Sequence, residues 1–184
     1  QKTNFKAMKL ESKSLLICIL FACMFIQCTK ITEIALPPGD LDNGGLVLPE
    51  GFEAVVVVDS IGPSRHLAVN TNGDIYVKMR YADPVGENMA LRDTTNDGKA
   101  DIFEKFGVFN QRGYYATGMR IYNDYLYYST ASEVMRQKLT PGKLVPESEV
   151  EVILTDDYRN SEFGYSHIAK PITFDNEGHI YIPF

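Results

Sequence analysis

The sequence has no cysteine after residue 28 and no cluster of Lys and Arg in its body. Without cysteines, the body of the chain cannot be held by disulfides and needs a hydrophobic core of its own. The net charge of −6 and the lack of a concentrated basic face argue against a nucleic-acid partner, because phosphate-backbone binding requires such a face. With 45% apolar and 23% charged residues, the composition is that of a folded soluble protein.

An apolar segment near the N-terminus is too short to cross a membrane. It runs from Leu15 to Ile26, behind two lysines, and the first methionine of the chain is Met8. About 12 apolar residues match the hydrophobic part of a signal peptide, whereas a transmembrane helix needs roughly 20. A buried core helix is the alternative, but the segment shows no amphipathic period. We therefore expect residues 1–28 to comprise a leader and a signal peptide, with the signal peptide starting at Met8.

Cys28 lies at the polar edge of this segment, where bacterial lipoproteins carry the cysteine that is cleaved and acylated. Cys23 is a rival acylation site, and secretion without a lipid is a further alternative. Residues 29–47 contain the turn-forming stretches Pro37–Asp40 and Asn43–Gly45, as in a flexible tether. The sequence thus predicts an extracytoplasmic, membrane-anchored lipoprotein, periplasmic or on the cell surface, whose folded part spans residues 48–184.

A strand, a tight turn and a second strand recur three times in the folded part. When the three copies are aligned on Asp74, Tyr125 and His179, they follow each other at 51 and 54 residues, which is a period typical of propeller blades. The three copies are Leu67–Val77, Met119–Tyr128 and Pro171–Ile182.

More strand candidates lie between these hairpins, so that each repeat contains about four strands. They are Phe52–Val58, Glu133–Leu139 and Val150–Leu154. A β-sandwich also has short strands, but it has no reason to repeat a motif about every fifty residues. The sequence predicts an all-β fold, a β-propeller of four-stranded blades, of which residues 48–184 supply about two to three. The strand pattern that ends at Phe184 predicts that this part is truncated.

Four motifs, in this order and spacing, resemble the pyrroloquinoline-quinone (PQQ)-dependent sorbosone dehydrogenases. The motifs are Leu48–Phe52, Ser64–Val69 with its hairpin Gly73–Val77, Ala90–Asp101, and Gly164–His167. That family is similar in fold to the soluble glucose dehydrogenases, which are six-bladed propellers. The resemblance implies a quinoprotein that oxidises a sugar, polyol or sugar aldehyde with PQQ and Ca2+. It also implies an electron acceptor such as a cytochrome or a quinone.

The resemblance identifies His167 as the general base, which takes the hydroxyl proton while the substrate carbon delivers hydride to the cofactor. The other two histidines, His66 and His179, are more simply a core residue and a solvent-facing turn residue. Because PQQ carries three carboxylates, its site needs cations. Arg65 and Lys170 are the candidates, since each stands eight residues before a hairpin glycine. Ordinary surface charges are the alternative for both.

The segment Asp93–Glu104 has the ligand spacing of a calcium loop, with glycine at its sixth position. The alternative is an Asp-Gly turn between strands, which has the same residues without binding a metal. No helical pattern flanks the loop. We expect any calcium bound here to be structural, and separate from the cofactor's calcium. The candidate ligands are Asp93, Thr95, Asp97, Asp101 and Glu104.

Two other functions remain open from the sequence. One is a propeller without catalytic activity that binds a carbohydrate or a protein. The other is a lactonase-like hydrolase, in which a central calcium activates water. Six tyrosines between residues 114 and 128 could stack on sugar rings, although packing between blades is the simpler role.

The lipid anchor can be tested with single cysteine substitutions. We expect Cys28→Ser to abolish incorporation of labelled palmitate and to release the protein from the membrane fraction, because no acylated thiol remains. The matched control, Cys23→Ser, should keep both label and membrane association. Loss of label in the control variant instead would identify Cys23 as the acylated residue.

Overall fold

The computed structural model describes residues 36–83, 86–107, 118–156 and 170–183. The predicted signal peptide, Cys28 and His167 lie outside these residues. Among the described residues, no helix is long and apolar enough to span a membrane. Ten strands and one 3-10 turn, Asn43–Gly45, are present in this part of the chain. The strands are β1 Ser64–Val69, β2 Ile75–Asp83, β3 Gly86–Arg92, β4 Ile102–Phe106, β5 Met119–Tyr122, β6 Tyr125–Ser129, β7 Glu133–Lys138, β8 Glu151–Thr155, β9 Thr173–Phe174 and β10 Ile180–Tyr181.

The strands form three antiparallel sheets in which sequence neighbours are also spatial neighbours. Blade 1 has the order β1-β2-β3-β4, blade 2 has the order β5-β6-β7-β8, and blade 3 contains β9 and β10. Strands β1 and β5 contact each other, so the first two blades converge at their first strands. The predicted all-β fold, a partial β-propeller with four-stranded blades, is confirmed.

Local turn chemistry explains why the three hairpins were recognisable. In blade 1, the Asn70 amide donates to the Asp74 carbonyl at 2.8 Å, and Gly73 adopts a φ of +91°. The first hairpin of blade 3 repeats this turn, from Asp175 to His179, with a glycine at the same place. Blade 2 uses the two-residue turn 123–124, where both residues have positive φ, as tight hairpins prefer.

Equivalent tyrosines link blade 1 to blade 2 and blade 2 to blade 3. Tyr76, Tyr127 and Tyr181 hold the same place in successive hairpins, at the predicted spacings of 51 and 54 residues. Tyr76 is fully buried in one apolar cluster with Leu126 of blade 2. The Tyr127 ring lies 4.7 Å from the Phe174 ring of blade 3. Each sheet therefore obtains much of its core from its neighbour.

The opposite face of blade 1 is covered by the chain's own N-terminal segment. Four buried side chains of β2 and β3 pack there with Val58 and Ile61. This cover is partial, because Leu67 and Val69 of β1 remain 56% and 58% exposed, whereas Met119, the counterpart of Leu67 in blade 2, is fully buried. The four buried residues are Val77, Met79, Met89 and Leu91.

The Val-rich segment Phe52–Val58 does not join a sheet, although its composition predicts a strand. Its backbone bonds instead to preceding residues: the Ala54 carbonyl accepts from the Asp40 amide at 2.8 Å, and the Val56 amide donates to the Asp40 carboxylate at 2.8 Å. Asp40 also pairs with Lys99 at 3.0 Å. The part of the predicted tether that surrounds Asp40 is thus packed against blade 1.

A fully buried ion pair joins β2 and β3 of blade 1. The Lys78 ammonium lies 3.1 Å from the Glu87 carboxylate, and both side chains are 1% exposed. Burial lowers the pKa of Lys78 and raises the pKa of Glu87, while the attraction between the two charges opposes both shifts. Each charge is therefore tolerated only because the other is present.

Removing one partner of this pair should cost more than removing both. We expect Lys78→Met to lower the free energy of unfolding by about 3–5 kcal/mol, because Glu87 is left buried without a countercharge. The double variant, with Met at both positions, should recover most of that loss. Urea unfolding of the full-length protein measures both values. Lys99→Met, which breaks an exposed pair, serves as the control and should not shift the midpoint; equal effects of Lys78→Met and Lys99→Met would contradict the argument.

Candidate functional site

The first strand of every blade begins at the same end of the blades. We call this end the rim, and it comprises residues 64–66 of blade 1, 118–119 of blade 2 and 170–171 of blade 3. The hairpin turns lie at the other end of the same strands. Contacts across the rim join blade 1 to blade 2 and blade 2 to blade 3. Arg65 and Lys170, the two predicted cofactor-binding cations, are both rim residues.

His66 connects blade 1 to blade 2 at the rim. Its Nδ1 atom accepts a hydrogen bond from the backbone amide of Met119 at 3.2 Å, and the side chain is half-buried. An imidazole whose Nδ1 is an acceptor cannot be protonated on that atom. His66 is thus a hydrogen-bonded packing residue, as the sequence favours. His179 is an exposed turn residue, with Nδ1 2.8 Å from the Asp175 carboxylate.

A serine hydroxyl connects blade 2 to blade 3 at the rim. Ser129 Oγ accepts from the Gly118 amide at 2.9 Å and donates to the Lys170 carbonyl at 2.8 Å. A Cβ atom at position 118 would overlap the Lys170 carbonyl oxygen and lie 2.6 Å from Ser129 Oγ. Only glycine therefore lets the two blades approach this closely.

Lys170 is buried, and its charge is matched within the chain. Its Nζ atom lies 2.6 Å from Oδ2 of Asp156, and its side chain is 4% exposed. Asp156 follows β8 directly, and its backbone amide donates to the Ser132 carbonyl at 2.7 Å. Sequence reasoning missed Asp156, because nothing in its local pattern distinguishes it from an ordinary acidic residue at the end of a strand.

Arg65 is exposed, and no ion-pair partner for its guanidinium lies in the described ranges. A cavity of about 480 Å3 opens beside it on the outer face of blade 1. The cavity walls are mainly aliphatic, so the cavity is suited to apolar packing rather than to a tricarboxylate. Its lining residues are Val56, Val57, Val58, Ile61, Ser64, Arg65, His66, Leu67, Ile75, Val77 and Leu91.

The predicted calcium loop follows β3 and lies at the hairpin end, away from the rim. Oxygen atoms of Asp93 accept from the backbone amides of Thr95, Asn96 and Gly98 at 2.7–3.0 Å. Asp101 accepts from both the amide and the hydroxyl of Thr94. Desolvation raises the pKa of Asp93, but the hydrogen bonds that its carboxylate accepts outweigh this effect and hold the pKa below its usual value.

The acidic side chains of the loop do not form a metal-binding group. Among the described residues, no group of three or more His, Cys, Asp or Glu side chains is arranged to hold a metal ion. The carboxylates by themselves therefore do not make a calcium site in this arrangement. Calcium binding by Asp93, Thr95, Asp97, Asp101 and Glu104 stays a prediction of the sequence.

Arg92, which belongs to one of the family-like motifs, has a structural partner. Its guanidinium forms two hydrogen bonds of 2.6 Å with the carboxylate of Asp74. These bonds raise the pKa of Arg92 and tie the end of β3 to the start of β2. Two described tyrosines of the stretch 114–128 are likewise packed within the fold, since Tyr122 stacks on Phe174 at 4.4 Å and Tyr128 is fully buried.

His167, the predicted general base, lies outside the described residues, as do Tyr114 and Tyr115. The structure describes both flanks of the segment that contains His167. One flank is Asp156, the other is Lys170, and the two are joined by the ion pair between them.

No protein-family model matches the chain, and no curated protein matches it significantly in sequence. Solved structures do match it. The holo form of the pyranose dehydrogenase PQQ domain from Coprinopsis cinerea superposes with a TM-score of 0.56 at 11% identity, over 72% of this chain and 29% of that one. The calcium and iodide structures of Trichoderma reesei Carbohydrate-Active Enzymes Family AA12 give 0.54 at 13% identity, over 71% and 31%.

These identities are low, so the similarity concerns the fold. The chain spans less than a third of the length of the solved structures that it matches. Over that span, the described blades are a partial β-propeller similar in fold to the PQQ domain of a pyranose dehydrogenase.

Proposed function

We propose that this chain is the N-terminal part of an extracytoplasmic quinoprotein oxidoreductase that oxidises a sugar, a polyol or a sugar aldehyde. Two signals support the proposal. The ordered motifs resemble PQQ-dependent sorbosone dehydrogenases, and the fold is similar to a PQQ domain. The second signal carries the proposal, because a fold is recognised without reference to sequence motifs.

In this proposal, His167 is the catalytic base. PQQ, when bound, supplies the acceptor for the hydride that leaves the substrate carbon. The imidazole of His167 accepts the proton of the substrate hydroxyl, which makes that carbon a better hydride donor. His66 is less suited to this task, because its Nδ1 atom already accepts a hydrogen bond from Met119. His179 is less suited because it lies in an exposed turn at the hairpin end, away from the rim.

Arg65 is the best-suited described residue for the carboxylates of PQQ. It is exposed at the rim, and its guanidinium has no ion-pair partner among the described residues, so it keeps its donors for an anion. Lys170 shares the position in the repeat, but its ammonium is already bound by Asp156. We therefore assign the first cofactor contact to Arg65, and further cations to later blades.

The remaining parts of the proposal concern the protein's surroundings. A lipid on Cys28 anchors the protein to a membrane on the extracytoplasmic side, and a cytochrome or a quinone takes the electrons from the reduced cofactor. The cofactor's Ca2+ is an ion separate from any calcium in the loop 93–104.

The test uses the full-length protein, supplied with PQQ and Ca2+ and assayed for dye reduction against a panel of aldoses. We expect activity with at least one sugar, and we expect His167→Ala to lower kcat by roughly 10²–10⁴-fold, the usual contribution of a general base. The matched control is His179→Ala, which removes an exposed turn histidine and should leave kcat unchanged. A panel with no active substrate, or full activity in His167→Ala, refutes the dehydrogenase assignment.

The cofactor contact has its own measurement in the same protein. Arg65→Met should weaken equilibrium binding of PQQ about tenfold or more, because a charge-assisted hydrogen bond is lost. Arg120→Met, at another exposed arginine on a first strand, is the control and should bind PQQ normally. Unaltered binding by Arg65→Met would remove Arg65 from the cofactor site.

A further inference from the structure

Buried polar residues lie beside the apolar cluster that joins blade 1 to blade 2. In blade 1, Lys78 pairs with Asn88 and Asn88 pairs with Phe106, so these three side chains share one face of the sheet. Phe106 and Tyr76 of this face belong to the cluster that also contains Leu126 of blade 2. Lys78 and Asn88 are therefore turned toward blade 2, at a level nearer the rim than Tyr76.

Three residues have buried polar atoms without a hydrogen-bond partner in the described part of the chain. Asn88 is fully buried, and both polar atoms of its side-chain amide are unpaired. Glu87 contacts Lys78 through Oε2 at 3.1 Å, but its Oε1 atom is unpaired. Ser132, between β6 and β7 of blade 2, has an unpaired Oγ atom. Because an unpaired buried polar group is destabilising, such groups in folded proteins are almost always bonded to protein or to ordered water.

Electrostatic effects place Glu87 close to blade 2. Burial is the main cause of the raised pKa of Glu87, and Lys78 opposes it, but the carboxylate of Glu133 at the start of β7 adds to the rise. Ser132 directly precedes Glu133, so the turn with the unpaired hydroxyl borders the same interface. We call Lys78, Glu87, Asn88 and Ser132 the polar layer.

The pairing of β2 with β3 is interrupted beside Glu87. Lys78 pairs with Asn88, and the next pair is Asp83 with Gly86. Four residues of β2, 79–82, therefore stand opposite Glu87 alone. A bulge of this kind leaves residues outside the ladder and bends the strand, so the sheet does not close tightly next to the polar layer.

The unpaired atoms of the polar layer include both acceptors and donors. Glu87 Oε1 and the amide oxygen of Asn88 accept, the amide nitrogen of Asn88 donates, and the Ser132 hydroxyl does either. A cation would satisfy only the acceptors and would be repelled by the Lys78 ammonium. An anion would satisfy only the donors and would be repelled by Glu87. Water donates and accepts, and an internal water typically makes about three hydrogen bonds to otherwise unpaired polar groups.

We propose that the polar layer is a binding site for internal water molecules, which bridge Glu87 and Asn88 of blade 1 to the Ser132 turn of blade 2. The waters form part of the contact between the two blades, in addition to the apolar cluster and the hydrogen bond of His66 at the rim. The inference does not depend on the proposed function, because no residue of the polar layer belongs to the proposed cofactor site.

A dry polar layer and a hydrated one make opposite predictions for Asn88→Leu. Leucine has nearly the same size as asparagine and carries no polar atom. In a dry layer, the substitution removes an unpaired buried amide and leaves the protein equally stable or more stable. In a hydrated layer, it removes hydrogen bonds to the water and leaves Glu87 Oε1 less well bonded, so the protein becomes less stable.

The first experiment is urea unfolding of the full-length protein. We expect Asn88→Leu to lower the folding equilibrium constant about tenfold or more, because the bridging hydrogen bonds are lost. Gln137→Leu is the matched comparison, since it removes a buried amide whose partners are protein groups, the Tyr128 hydroxyl at 2.8 Å and the Ser148 carbonyl at 2.7 Å. It should be destabilised whether or not the polar layer holds water, and it thus shows the size of the effect that the assay detects.

A second experiment detects the water directly. Oxygen-17 relaxation dispersion measures the number of long-lived internal waters in the folded protein. We expect Asn88→Leu to lower this number by at least one relative to the wild type, and Gln137→Leu to leave it unchanged. A crystal structure of the wild type should show ordered water within hydrogen-bond distance of Glu87 Oε1 and of the Asn88 amide.

Two results would overturn the inference. One is an Asn88→Leu variant that is as stable as the wild type, or more stable, and has the same number of long-lived waters. The other is a wild-type crystal structure in which an ion or a protein group occupies the position beside Glu87 Oε1. The crystal structure decides the question by itself if Asn88→Leu does not fold.

Discussion

The structure depends on the packing of each sheet against the next. A four-stranded sheet has two faces, and neither sheet described here could bury both on its own. Tyr76 and Tyr127 show how the need is met, because each projects from one blade into the apolar layer of the following blade. The same packing of blade 2 against blade 3 is seen at the rim, where the two blades approach so closely at Gly118 that no Cβ atom fits.

Features governed by short-range chemistry could be predicted from the sequence. The hairpins were visible because glycine, Asn and Asp stand where the backbone needs positive φ, as at Gly73 and Gly178. Strand β3 was not predicted, because Gly86–Arg92 contains a fully buried Glu87 and shows no alternation of polar and apolar residues. The segment Phe52–Val58 was predicted as a strand because valine favours strands. In the structure its backbone bonds to Asp40, Asn43 and Ala100 instead of pairing with a strand.

The candidate site was predictable only in part, for a similar reason. Equal spacing from a glycine placed Arg65 and Lys170 at equivalent points of the repeat, yet their surroundings differ completely. A periodic pattern fixes position in the fold, whereas the charge available to a ligand depends on residues distant in sequence, such as Asp156. In the loop after β3, the spacing of carboxylates predicted calcium ligands. In the structure, the Asp93 carboxylate accepts hydrogen bonds from backbone amides of the same loop.

The cover that Val58 and Ile61 provide on blade 1 has a consequence for the order of folding. An exported chain is delivered from its N-terminus, so blade 1 emerges before blade 2 can pack against it. Because the preceding segment covers part of one face, blade 1 exposes one apolar face rather than two until blade 2 packs against it. The segment that precedes β1 thus covers part of one apolar face of blade 1 independently of blade 2.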